Sequence, residues 1–244
     1  MSSEECNLLT SDVIALGTIQ SSVFRSNVYQ VVMPVDECFK GACSDTLRFA
    51  GWPPYIGQGT TYVAGERVVM VLVYRGVGAT RWLMAHSSND KITVGDDDTV
   101  AVSGTSLDDY LSYVRELVEP RRPERLYEQA DFVVVGRVSG IADMSSGEDA
   151  GLPVGLHTFR AGLRVSEVFK GEWADSLAYV RPPVLRKTAN CYDYVLLEDG
   201  ETVLLFLRHS DGGEFEVVGS HDGKHRVGDP TTERILEWLR RPPN

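Results

Sequence analysis

Apolar and polar positions along this chain fall into short blocks that read as strands, each closed by a turn signal. In Phe159–Val165, the residues Phe159, Ala161, Leu163 and Val165 alternate with Arg160, Gly162 and Arg164, as in a strand with one wet face. The β-branched runs Val13–Ile19 and Phe132–Val138 read as buried strands. Further strands are predicted over 28–39 and 158–169, 46–50 and 176–181, 67–73 and 202–207, 81–85 and 214–219, and 91–94 and 224–227. Lys-Gly, Asp-Gly and Pro-Pro pairs end them, because glycine takes positive φ and proline cannot donate to a ladder. Two stripes at helical spacing follow: Leu107, Tyr110, Leu111, Val114 and Val118, and then Ile235, Leu236 and Leu239. Ser106 with Asp109 gives the first a capping box, and Asp229-Pro230 gives the second an N-cap and an N1 proline.

The blocks come in pairs because the chain contains one unit twice. Val35–Leu47 and Val165–Leu177 both read V-x-E-x-F-K-G-x-x-x-D-x-L. Asp12–Gly17 matches Asp131–Gly136, Gly65-Glu66 matches Gly200-Glu201, and Lys91 with Val94–Asp96 matches Lys224 with Val227–Asp229. A repeat of this length makes each copy one structural unit. The joint falls at Glu119-Pro120-Arg121-Arg122-Pro123, giving a first repeat over 1–119 and a second over 120–244. Five or six strands and one helix per copy predict a mainly β fold with α: two tandem OB-like five- or six-stranded barrels, each closed by a C-terminal helix. A β-sandwich is the alternative.

Charge and composition narrow the function. The net charge is −11, with −7 in residues 1–119 and −4 in 120–244, and neither half has a long basic run. Nucleic-acid binding draws on phosphate neutralisation, so no nucleic-acid partner is expected. No apolar run approaches the roughly 20 residues of a membrane span. The start, Met-Ser-Ser-Glu-Glu, lacks a leader's basic and apolar regions, which leaves a cytoplasmic protein or a mature secreted one. Cys38 and Cys43 stand where the second copy has Val168 and Trp173. They are either a disulfide clipping the Phe39–Ala42 turn or two buried thiols.

The polar residues that both copies keep are the natural catalytic candidates: Asp12/Asp131, Glu37/Glu167, Lys40/Lys170, Asp45/Asp175, Glu66/Glu201, Lys91/Lys224 and Asp96/Asp229. They sit beside turn glycines and strand ends, without a nucleophile–base pair, so they read as turn and edge residues. His221 and His225 are separated by Asp-Gly-Lys, a loop rather than a metal-binding helix face. Asp96-Asp97-Asp98 lacks the pattern of a calcium loop. No catalytic residue, metal or cofactor is therefore expected. Trp52, Tyr55 and Ile56 lie in a Pro/Gly loop that copy two lacks. They are the candidate partner-binding residues, with a plug for the barrel end as the alternative role.

Asp12–Gly17, Tyr29–Gly41 and Gly65–Val73, with Asp131–Gly136, Phe159–Gly171 and Gly200–Leu207, resemble the netrin-like modules. That group includes the N-terminal domain of tissue inhibitors of metalloproteinases and its bacterial relatives. The resemblance implies an OB-like barrel, secreted or periplasmic, acting as a binding or inhibitory module. The inhibitors chelate zinc through an N-terminal cysteine, whereas Cys6 here follows five residues and has Arg125 as its counterpart. Metalloproteinase inhibition is thus expected only if processing exposes Cys6. The expectation is a non-catalytic tandem binding module for another protein. Its rivals are an assembly protein acting through sheet edges and a metal-dependent hydrolase using loop carboxylates.

Overall fold

Successive residues of Val13–Thr18 (β1) point to opposite faces of the sheet, and both faces are buried. Val13 and Ala15 lie in one core, Ile14 and Leu16 in another. The computed structural model describes residues 3–54, 59–75, 82–85, 88–101, 103–144, 159–172, 175–181, 198–210 and 214–241. The chain divides into two compact units, 2–118 and 119–244.

In the first unit the helix Ser3–Thr10 (α1) precedes β1. There follow Ser21–Arg25 (β2), Val28–Lys40 (β3), Thr46–Gly51 (β4), Arg67–Arg75 (β5), Trp82–Ala85 (β6), Lys91–Val94 (β7) and the helix Leu107–Val118 (α2). Pairing runs β1–β3–β4–β6–β5 and returns from β5 to β1, which closes a five-strand barrel consistent with the OB type. Its pairs are antiparallel except β4–β6.

The second unit contains Pro123–Gln129 (α3), Phe132–Asp143 (β8), Phe159–Lys170 (β9), Ser176–Arg181 (β10), Thr202–His209 (β11), Phe215–Val217 (β12), Lys224–Arg226 (β13) and Pro230–Arg240 (α4). Its six strands form one sheet, in the order β12–β10–β9–β8–β11–β13, and β12 also pairs with β11. The one parallel pair, β10–β12, corresponds in chain order to β4–β6.

Both long hairpins bend at the same places. The β1–β3 register shifts between Ile14 and Ala15 and again between Leu16 and Gly17. The β8–β9 register shifts between Val133 and Val134 and between Val135 and Gly136. Such bulges sharpen twist and let a strand curve around a barrel. Gly17 is needed at its bulge, since a Cβ there would lie 2.1 Å from the Pro34 carbonyl oxygen.

Each unit has two cores because its central strands are covered on both sides. Val13, Met33, Leu47, Phe49, Met70 and Leu72 are buried together on one side. On the other, Ile14, Val69 and Val71 pack under Leu8 of α1 and Leu107, Leu111 and Val114 of α2. In the second unit Leu163, Leu205 and Leu207 belong to one cluster, and Val133, Phe206, Leu126, Ile235 and Leu236 to the other. Each large aliphatic side chain so buried stabilises the fold by about 1.5–3 kcal/mol.

The structure adds elements that the pattern of the chain did not reveal: β2, α1 and α3. The helices α1 and α3 are short, and each is tied down from outside. Lys40 Nζ donates to the Leu9 carbonyl at 2.6 Å, and Lys170 Nζ to the Tyr127 carbonyl at 2.7 Å. A cation on last-turn carbonyls complements the helix dipole.

Two predictions follow from this packing. Gly41 and Gly104 both have positive φ, but a Cβ at Gly41 would lie 2.0 Å from the Asp12 carbonyl oxygen whereas at Gly104 it meets open space. Gly104→Ala should cost about 1 kcal/mol by denaturant titration and Gly41→Ala about 3 kcal/mol; equal losses would mean that the Asp12 contact constrains nothing. The second concerns Tyr62, whose phenol is raised far above its ordinary value by burial and then by the Asp90 carboxylate. The unfolded chain ionises this phenol at about pH 10 while the folded chain keeps it neutral, so its contribution is complete below that pH and is lost as pH rises above it. Relative to stability at neutral pH, Tyr62→Phe should therefore move alkaline unfolding to higher pH, and an unchanged onset would contradict the assignment.

Candidate binding site

Six of the seven polar pairs shared by the two copies make matching bonds. Asp12 accepts from the Tyr74 amide and Asp131 from the His209 amide, both at 2.7 Å. Arg115 forms a two-pronged pair with Glu37 at 2.8 Å, joining α2 to β3, and Arg240 pairs with Glu167 at 2.8 Å, joining α4 to β9. The Asp45 carbonyl accepts from Val35 N, and the Asp175 carbonyl from Val165 N, both at 3.0 Å. Lys91 pairs with Glu66 at 2.6 Å, and Glu66 also accepts from the Val63 amide at 3.0 Å. Lys224 pairs with Glu201, which accepts from the Glu198 amide at 2.8 Å. Burial lowers the Lys224 ammonium's pKa, partly offset by the Glu201 carboxylate. These carboxylates and ammonium groups close turns and pin helices to strands. The arginine partners, Arg115 and Arg240, carried no sequence signal of their own; their equivalent places in the two closing helices would have revealed them.

Two acids of the Asp96-Asp97-Asp98 run are also engaged. Asp97 accepts from the Thr99 hydroxyl at 2.6 Å and the Thr99 amide at 3.2 Å, which hold its carboxyl below the usual range. Asp98 pairs with Arg67 at 2.6 Å. The His225 ring packs edge-on against Phe206, and the His221 side chain lies outside the described residues. Asp229 occupies the N-cap position of α4, and the Gly228 amide donates to Glu233 at 2.9 Å. Among the described residues, no group of three or more His, Cys, Asp or Glu is placed to hold a metal ion.

Cys38 and Cys43 are joined by a disulfide, with Cα atoms 5.9 Å apart. Trp52 is half-buried at the end of β4, its carbonyl accepting from the Thr60 amide at 3.0 Å. Tyr55 and Ile56 lie outside the described residues. Tyr62 is buried beside this loop, with its ring against Phe49 and Tyr29.

One surface feature has no counterpart in these internal bonds. A groove of about 600 Å³ runs over β2, β3, β4 and β6 and is lined by Val23, Arg25, Gln30, Arg48, Ala50 and Trp82, among others. Val23, Gln30 and Ala50 are register partners across three strands, and Arg48 sits opposite Val32 further along. Trp82 is 51% exposed and Val23 46%. Six Lys and Arg side chains are described in this unit. Lys40, Arg67, Lys91 and Arg115 are bonded within the fold. Neither Arg25 nor Arg48 has an ion pair among the described residues, and both line the groove.

The strand that forms one wall, β2, carries a turn signal but no apolar period. Ser26 and Asn27 both have positive φ, as a two-residue type I′ hairpin requires, and asparagine tolerates that conformation. The groove itself combines outward positions of four strands, and such positions register in a sequence as ordinary solvent-facing residues.

No protein-family model matches the chain, and no curated protein matches it. Among solved structures, the chain is similar to the tetrameric p202 HIN2 at 11% identity, over 88% of this chain and 93% of that one, with a TM-score of 0.24. It is similar to the p204 HINb domain at 10% identity, over 88% and 97%, also with a TM-score of 0.24. At that score neither likeness carries an inference about fold or partner. A β-barrel is present, and nothing in these comparisons ties it to the netrin-like modules.

Proposed function

We propose that this chain is a non-catalytic tandem binding module, built from two OB-like barrels over 1–119 and 120–244, whose partner is another protein. The observation that carries the reading is the engagement of the shared polar residues. Asp12/Asp131, Glu37/Glu167, Lys40/Lys170, Glu66/Glu201 and Lys91/Lys224 bond to backbone groups, helix residues and one another, the engagement that a structural role requires. Binding is assigned to the Trp52, Tyr55 and Ile56 loop of the first unit and to the adjoining groove. A half-buried tryptophan on a Pro-Pro segment suits an interface anchor, because stiffness lowers the ordering cost of association. The Cys38–Cys43 disulfide supports a secreted or periplasmic protein, since such bonds persist in oxidising compartments. Among the described residues no helix is long and apolar enough to cross a membrane.

The reading is tested by separating stability from surface. Glu66→Gln and Lys91→Met each break a largely buried pair and should lower unfolding stability by about 2–4 kcal/mol. Arg25→Glu and Arg48→Glu, on exposed positions, should change it by no more than about 0.5 kcal/mol. If the Glu66 and Lys91 variants are as stable as the parent chain, those groups are not structural and the non-catalytic reading fails.

A further inference from the structure

The groove on β2, β3, β4 and β6 resolves into three features. Its ends are cationic, and its middle is apolar around a central Gln30. Arg25 lies beside Val28 and Arg48 beside Val32, on opposite sides of β3. Four residues along a strand and two strand spacings across put their Cα atoms about 16 Å apart on the diagonal. Between and beside them stand Val23, Ala50 and Trp82, which begins β6 two residues before Met84, the register partner of Ala50. The surrounding half of the chain carries −7, so two arginines with no ion pair among the described residues, gathered on one face, are a local reversal of charge.

The geometry points to a docking site for an extended acidic peptide segment: two carboxylates four or five residues apart on Arg25 and Arg48, with apolar side chains between them against Val23, Ala50 and Trp82. This deepens the binding-module reading and rests on it. An extended chain advances about 3.3 Å per residue, so acids at that spacing span the two arginines once side-chain reach is added. Arginine offers a two-pronged hydrogen-bonding fork to each carboxylate, and its weak hydration suits an apolar surround. A nucleic-acid strand fits less well. Two cations neutralise only two phosphates, while the net −11 of the chain repels the rest of the polyanion.

The test is to pan a displayed library of random linear peptides against the full chain. Enriched peptides should carry Asp or Glu at four- or five-residue spacing with apolar residues between. Their affinity should fall on the order of a hundredfold in the Arg25→Glu/Arg48→Glu double variant, two charge-assisted contacts being lost. Trp82→Ala should weaken binding by about tenfold. Thermal melts of the same variants should match the parent, which excludes unfolding as the cause. The proposal is overturned if no peptide is enriched, if enriched peptides lack acids, or if charge reversal leaves affinity unchanged. It is equally overturned if oligothymidine binds this face more tightly than any peptide, or if a second copy of the chain occupies it. Each of these outcomes leaves the non-catalytic reading in place, which the stability series decides separately.

Discussion

The first strand of the first unit is bonded on both edges, and the rest of that unit is arranged around this requirement. β1 must pair with β3 on one side and β5 on the other, which is what turns a sheet into a ring. A strand so placed has no edge left and no wet face, hence the unbroken apolar run from Val13 to Leu16. It must also curve, hence two bulges against β3 and a glycine at the second of them. In the second unit β8 pairs with β9 and β11 and carries the corresponding bulges, with Gly136 in the place of Gly17.

Repetition then works as a filter between architecture and use. Several residues kept at the same place in both copies are explained by a bond made in both copies, as with Lys40 and Lys170 on the helix ends that precede the first strand of each unit. The same logic covers Asp12 and Asp131, whose carboxylates each hold a backbone amide at the far end of a neighbouring strand. Conversely, Arg25 and Arg48 have no ion pair among the described residues, and their gathering with the exposed Trp82 on one face is the feature that the architecture leaves unexplained.

What could be read in the sequence was what periodicity records. The strands over 13–19, 67–73 and 202–207 were legible because burial on both faces leaves a continuous apolar run. The closing helices were legible because Leu107, Tyr110, Leu111 and Val114 keep helical spacing and Ser106 does cap the first turn, accepting from the Asp109 amide at 3.2 Å. β2 was not legible: Ser21, Ser22 and Arg25 dilute Val23 and Phe24 over five residues, and its only pairing partner among the described residues is β3. The helices α1 and α3 escaped notice because a lysine from a distant strand holds each one. The groove was hidden for a related reason, since a face made from outward residues of four strands has no signature along any one of them.

Amide hydrogen exchange, resolved residue by residue, tests the ring closure most directly. In a strand bonded on both edges every amide is held, whereas in a strand bonded on one edge alternate amides face solvent. Every amide from Val13 to Thr18 and from Phe132 to Arg137 should therefore exchange slowly, with alternation in strands paired on one edge, such as β2. Alternating fast and slow exchange along Val13–Thr18 would mean that the strand has an open edge, and would contradict closure of the first unit's barrel.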